Sequence, residues 1–211
     1  MEAAYLTVAA EGSDEFTEQR SRFIGFAKPV KTEEEALAFV AALKKQYWDA
    51  KHHVYAYVLR DSRISRSTDD GEPQGTAGVP VLDVLQKQGI TDCVVVVIRY
   101  FGGILLGAGG LVRAYSKGAS IAVRAAGVLE RRSCSVGSVR CEYGEYGRVQ
   151  PLVAEFGGVI DDSEFAEDVT LRFHLPCERE EAFQAQLTEI TAGQRFFDKE
   201  GEEFFDFAKK G

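Results

Sequence analysis

The stretch Cys93–Tyr115, C-V-V-V-V-I-R-Y-F-G-G-I-L-L-G-A-G-G-L-V-R-A-Y, constrains the fold more than any other part of this 211-residue sequence. Cys93–Ile98 is an unbroken apolar run, which reads as a strand buried on both faces. Arg99 and Tyr100 close it. Gly102, Gly103, Gly107, Gly109 and Gly110 then put five glycines into nine positions before a helix begins. A strand that runs through a glycine loop into a helix aims several backbone N–H groups at one place, and such a place attracts anions. Two common nucleotide fingerprints are absent. Ala108 stands where a Walker loop starting at Gly102 has its lysine. Val112 stands where the dinucleotide motif starting at Gly107 has its third glycine, and no acidic residue ends a following strand. The same glycines also suit close packing of the helix on its strand, so an anion site and a purely structural loop both stay open.

Charge is unevenly spread. Residues 1–130 carry 15 basic and 16 acidic groups, whereas residues 131–211 carry 10 and 17, for nets of −1 and −7. This argues against indiscriminate nucleic-acid binding and confines any basic patch to the first part. No apolar run approaches the roughly 20 residues of a membrane span, and the N-terminal M-E-A-A-Y-L-T has no signal-peptide character. Cys93, Cys134, Cys141 and Cys177 show no C-x-x-C spacing, so reduced thiols and a cytoplasmic location are expected, with no disulfide or zinc site.

Periodicity predicts strands at 3–9, Arg22–Val30 and Val54–Leu59, and a helix over 33–47 whose Thr32 and Glu35 form a capping box. Asp61–Gln74 reads as loop, followed by a short helix from about Thr76 to Lys87. In the helix over 108–126, at about 100° per residue, Lys117 and Arg124 fall within about 40° of Arg113, while Leu111, Tyr115, Ala119 and Ala122 lie on the opposite side. The pattern breaks near Gly127–Ser138, and the remainder reads β-α-β-β-α-β, the ferredoxin-like order. The boundary is placed at 131, giving domains 1–130 and 131–211 and an α+β fold class of two α/β sandwich units.

Three groups of residues invite a chemical reading. The glycine loop with Arg99, Tyr100 and Arg113 suits an anion. Asp69, Asp70 and Glu72 place three carboxylates within four positions, which repel unless a cation such as Arg66 or Arg99 sits among them. The alternative for this segment is a turn, with Thr76 capping the next helix. His52 and His53, adjacent on a strand, point to opposite faces, so only one of the two can line a site, and a surface or internally satisfied histidine is the alternative. His174 has no evident partner. No nucleophile elbow, H-E-x-x-H or serine–histidine–aspartate set is present, so no catalytic residue, metal or cofactor is assigned. Arg20, Arg22, Phe23 and Phe26 mix cations with aromatics as nucleic-acid surfaces do, but core aromatics beside solvated arginines give the same pattern and are the preferred reading.

Together, S-R-F-I-G (Ser21–Gly25), H-H-V-Y-A-Y (His52–Tyr57), D-D-G-E-P-Q-G-T-A-G-V-P (Asp69–Pro80) and the Arg99–Tyr115 segment resemble the IMPACT/YigZ family. The last two motifs are highly specific, and the second domain is similar to the smaller C-terminal domain of bacterial YigZ members. His53 replaces a common Asn, and Val79 replaces a basic residue. The resemblance implies a first domain like the left-handed βαβ fold of a ribosomal small-subunit protein, of elongation factor G domain IV and of GHMP-type kinases. It implies a second domain like the ferredoxin-like domain V of elongation factor G. Eukaryotic members restrain a stress kinase and so influence translation, using an additional N-terminal domain not found in this sequence. Some members have been labelled peptidases, a chemistry these residues do not support.

The resulting expectation is a non-catalytic cytosolic regulator of translation that binds RNA or the ribosome. Its pocket would draw on His52, Arg66, Asp69, Asp70, Glu72, Thr76, Arg99, Tyr100, Gly102, Gly103, Gly107, Gly109, Gly110 and Arg113. Arg113, Lys117 and Arg124 would form a phosphate stripe, and the acidic second domain would meet a protein partner. The alternatives are an enzyme acting on a phosphorylated small molecule or nucleotide with Mg²⁺, and a protein-binding adaptor.

Overall fold

Every residue of Cys93–Ile98 is fully buried, because the strand they form is the middle of a five-stranded sheet covered by helices on both faces. The computed structural model describes residues 4–208, which divide into two units, Tyr5–Glu130 and Arg131–Phe207. In chain order the first part runs β1 (Ala4–Val8), β2 (Gly12–Glu18), β3 (Ser21–Pro29), α1 (Glu33–Gln46), β4 (His52–Leu59), β5 (Ile64–Thr68), α2 (Gly78–Gln88), β6 (Cys93–Tyr100) and α3 (Gly107–Ala126). The sheet order is β2-β3-β6-β4-β5, with every pairing antiparallel. Alternation along β6 divides the core. Cys93, Val95 and Val97 pack with Leu85 of α2 and with Leu111, Ala119 and Ala122 of α3. Val94, Val96 and Ile98 pack with Phe39, Val40 and Leu43 of α1.

Local chemistry fixes the helices. Thr32 Oγ1 accepts the N–H of Glu35 at 3.2 Å. The Glu35 carboxylate accepts the N–H of Lys31 at 2.7 Å, one residue ahead of the usual capping-box partner. Helix α3 approaches its sheet through small residues. A Cβ on Gly25 would collide with the Gly118 carbonyl, and one on Gly118 would lie 2.7 Å from Val97 Cγ1.

Two strands depart from the sequence reading. β2 is polar and joins β3 through Gln19 and Arg20, both at positive φ and neither a glycine, so no turn signature marks the hairpin. β5 lies inside Asp61–Gln74, the segment expected to be loop, and pairs with Tyr55–Leu59 of β4. It is an edge strand bordered by solvent, where polar side chains are tolerated and hydrophobic alternation is weak.

The second part continues as β7 (Val128–Cys141), α4 (Tyr143–Glu155), β8 (Val159–Phe165), β9 (Val169–Pro176), α5 (Glu180–Ile190) and β10 (Asp198–Ala208). This is the expected β-α-β-β-α-β order. β9 lies between β7 and β8, antiparallel to both, and β10 pairs with β7. Val139, Val149, Val153, Leu171, Phe173, Phe183 and Leu187 form the core. The Glu145 carboxylate accepts the Glu142 N–H at 2.9 Å at the start of α4, which continues through Pro151. His174 does have partners: its Nδ1 lies 2.9 Å from Asp161 Oδ1, and its ring stacks on Phe205 at 3.6 Å. The sequence hid this pair because Asp161 sits on the neighbouring strand β8. All four cysteines are free thiols. Among the described residues no helix is long and apolar enough to cross a membrane.

Candidate functional site

The end of β6 builds the site. By strand alternation Arg99 continues the α2/α3 side of the sheet, directly across from His52 of β4. Arg99 Nη1 donates to Glu72 Oε1 at 2.6 Å, and Nη2 donates to Ser21 Oγ at 3.3 Å. The Tyr115 hydroxyl donates to the same Glu72 oxygen at 2.8 Å. Burial, reinforced by the Glu72 charge, pushes the Tyr115 phenol far above its ordinary pKa, so it stays a donor. The Arg99 guanidinium also lies 5.5 Å from the ring centres of Phe23 and Phe101. The side chains of Arg99 and Glu72 are only 6% and 5% exposed, so each charge depends on the other.

The acidic turn works as scaffold. Asp69 accepts the backbone N–H groups of Gly75, Ala77 and Gly78 at 2.8, 3.0 and 2.8 Å and thereby caps α2 from nine residues away. Burial opposes its charge, yet these three donors hold the carboxyl below the usual aspartate value. Thr76 is not the cap expected from the sequence. Its hydroxyl donates to the Pro73 carbonyl at 2.6 Å, and Ala77 occupies the N-cap position. Asp70 accepts the His53 N–H at 2.6 Å and the Lys44 ammonium at 3.0 Å. Those donors keep its carboxyl low against the opposing effect of burial. The three carboxylates therefore face three different sets of donors. No group of His, Cys, Asp and Glu among the described residues is arranged to hold a metal.

The two histidines part as strand geometry requires. His53 turns to the α1 side, where its Nε2 donates to the Tyr47 carbonyl at 3.0 Å. Burial lowers its pKa. His52 turns to the Arg99 side. Its Nδ1 lies 2.8 Å from the Asp70 carbonyl, which only accepts, so Nδ1 carries the proton. Nε2 stands 3.8 Å from Glu72 Oε1, beyond hydrogen-bond reach.

These groups line a cleft of about 370 Å³. His52, Glu72 and Arg99 contribute its polar lining, Gly107 and Ala108 bring the first turn of α3, and Phe101, Leu105 and Pro73 add apolar surface. The residue before α3, Leu106, provides no side-chain cap, so the first-turn amides have no side-chain acceptor. Phe101 and Leu105 are 44% and 85% exposed. Lys51 also lines the cleft, with its ammonium 5.9 Å from the Phe101 ring centre.

Of the residues selected from sequence, His52, Glu72, Arg99 and Gly107 thus share the cleft. Gly110 and Arg113 line a separate groove with Lys117, whose ammonium lies 4.2 Å over the Phe16 ring. Arg124 is exposed farther along α3. Arg66 lies across from Tyr57 on β5, and Tyr100 donates to Asp49 at 2.8 Å; both follow the α1 face, away from the cleft. Asp69, Asp70 and Thr76 hold the turn. Gly102 donates its N–H to Ser21 Oγ at 3.3 Å, and a Cβ there would strike the Arg20 backbone. Gly103 adopts a positive φ, and Gly109 sits in the first turn of α3; neither lines the cleft. Sequence reasoning missed Lys51, Phe101, Leu105, Tyr115 and Ser21. Helical angle placed Tyr115 on the apolar face, which concealed the use of its hydroxyl.

Comparison with known proteins follows the same two-part division. The Impact N-terminal domain model matches residues 19–123, and a domain of unknown function, DUF1949, matches residues 139–194. IMPACT family member YvyE of Bacillus subtilis is 40% identical over 200 residues, covering 94% of this chain and 92% of that protein. YigZ of Escherichia coli is 36% identical, covering 83% of this chain and 87% of its own length. Protein IMPACT of Rattus norvegicus is 33% identical over half of this chain and 34% of its own length. A crystal structure of a hypothetical protein aligns over the full length of both chains with a TM-score of 0.60 at 32% identity. The order of motifs, the two matched domains and the near full-length relatives establish that this chain is a two-domain member of the IMPACT family.

Proposed function

We propose that this chain is a non-catalytic regulator of translation whose N-terminal unit binds RNA or the ribosome. One observation carries the reading: along α3, uncapped first-turn amides open on a cleft with exposed apolar walls, and Arg113, Lys117 and Arg124 follow on the solvent side. None of these three makes an ion pair among the described residues. Backbone amides, free cations and exposed aromatic surface are what phosphates and unstacked bases require. The Mg²⁺-dependent enzyme reading has less support, because the turn carboxylates already meet internal donors.

We further assign the finer folds on this basis. β3–α1–β4 crosses over β6, and β5–α2–β6 crosses over β4, which supports a βαβ unit like that of elongation factor G domain IV. The order β10-β7-β9-β8 supports a ferredoxin-like second unit. That unit, in the acidic stretch 131–211 with its net charge of −7, is the part proposed to dock a protein partner.

Filter binding with structured RNA and co-sedimentation with ribosomes, each at low and high salt, test the RNA reading. Retention at low salt should fall steeply with added salt. Replacing Arg113, Lys117 and Arg124 together with alanine should reduce the slope by about one for each phosphate that is no longer neutralised. Absence of retention at low salt, or retention indifferent to both salt and the triple substitution, overturns it.

A further inference from the structure

We infer that the cleft at the start of α3 is a ribonucleotide site that reads the ribose hydroxyls. The inference rests on the RNA reading above and specifies what that surface grips. Four observations meet in one place.

The first is the acceptor pair. His52 is 7% exposed, and its ring is fixed by the bond from Nδ1 to the Asp70 carbonyl. In the neutral ring Nε2 is then a lone-pair acceptor, and it has no hydrogen-bond partner among the described residues. Glu72 presents the neighbouring acceptor: its Oε1 takes bonds from Arg99 and Tyr115, while Oε2 takes none among the described residues. Nε2 and Oε1 stand 3.8 Å apart, and two acceptors cannot bond each other. A cis-diol supplies the missing donors, with one hydroxyl to Nε2 and the other to the free Oε2.

The second observation is the anion end. The first-turn amides at Gly107 and Ala108 lack a side-chain cap and border the same cleft. Lys51, which makes no ion pair among the described residues, adds positive charge, whereas Arg99 and Glu72 neutralise each other. The third is the apolar wall, where half-exposed Phe101 offers a face to a base. The fourth is size. About 370 Å³ falls near the lower end of the range for small-molecule sites, which suits one nucleotide unit. A phosphate on the α3 amides, a ribose diol on His52 and Glu72, and a base on Phe101 answer these four features; the buried Nε of Arg99, which has no hydrogen-bond partner among the described residues, is not engaged.

The experiment uses the unmodified full chain. AMP, 2′-deoxy-AMP and ribose 5-phosphate are titrated while the backbone amide resonances of Gly107 and Ala108 are followed by NMR. AMP should move both resonances saturably, and deoxy-AMP should bind at least about tenfold more weakly, because one buried acceptor loses its donor. Ribose 5-phosphate should retain the amide shifts at reduced affinity, and Phe101→Ala, an exposed position, should reduce AMP affinity to a similar level. Equal binding of AMP and deoxy-AMP overturns the assignment, as does the absence of any amide shift. RNA retained by the protein while AMP leaves these resonances unmoved overturns the cleft assignment and leaves the RNA reading intact. Saturable AMP binding without RNA retention does the reverse.

Discussion

Arg99 Nη1 and Glu72 Oε1 meet at 2.6 Å with both side chains about 95% removed from solvent. Removing either partner strands the other charge in the interior. Glu72→Ala should cost about 3–5 kcal/mol in urea unfolding. The exposed pair Arg22–Glu15 also spans 2.6 Å, but both side chains are half-exposed. Glu15→Ala should cost less than about 1 kcal/mol. Similar losses from the two substitutions would contradict the burial argument.

Asp69 is the remote cap of α2, so Asp69→Ala leaves three amides without their acceptor. A loss of about 2 kcal/mol is expected. The carboxyl titrates below its ordinary value of 3.8 in the folded chain. Its contribution is therefore complete above about pH 4 and disappears as pH falls through the lower folded value. In acid unfolding, Asp69→Asn should show a shallower loss of stability below about pH 4. A slope unchanged from the parent would refute the capping role.

His53 titrates below its ordinary 6.5 because it is buried. As pH falls below about 6.5 the unfolded chain takes up a proton that the folded chain refuses, so stability decreases. His53→Asn should remove that component. Melting temperatures between about pH 7.5 and 5.5 should then vary less in the variant than in the parent.

Gly25 faces the Gly118 carbonyl at a distance that admits no side chain. Gly25→Ala should destabilise by about 1–3 kcal/mol through displacement of α3. Gly144→Ala, in the second unit with open space around it, provides the control and should change stability by less than about 1 kcal/mol. Comparable effects at the two positions would dismiss the close contact.

Much of this architecture was legible because burial enforces periodicity. Cys93–Ile98 has no polar residue to offer either face, and α3 separates its cations from its apolar side by angle. β2 and β5 were illegible because edge strands carry polar residues, and their hairpins turn at Arg20 and Arg63 in place of glycine. At the cleft, strand parity separated His52 from His53 in the sequence; the same parity also parts Arg99 from Tyr100, which the sequence reading groups in one pocket. The roles of Asp69 and Tyr115 were beyond reach, since each acts through a partner brought near only by the fold. Ser21, which joins Arg99 to Gly102, was visible as part of a motif but carried no local signal of its function.

The contact between Gly25 and Gly118 gives the fold a lever. Gly118 lies eleven residues beyond Gly107, about 16 Å along the helix axis. Because α3 is a single rigid rod gripped there, the height of its first turn above the end of β6 is set at a point that touches no ligand. A methyl group added at residue 118 is therefore a way to retune the distance between the amides of Gly107 and the guanidinium of Arg99 without altering either.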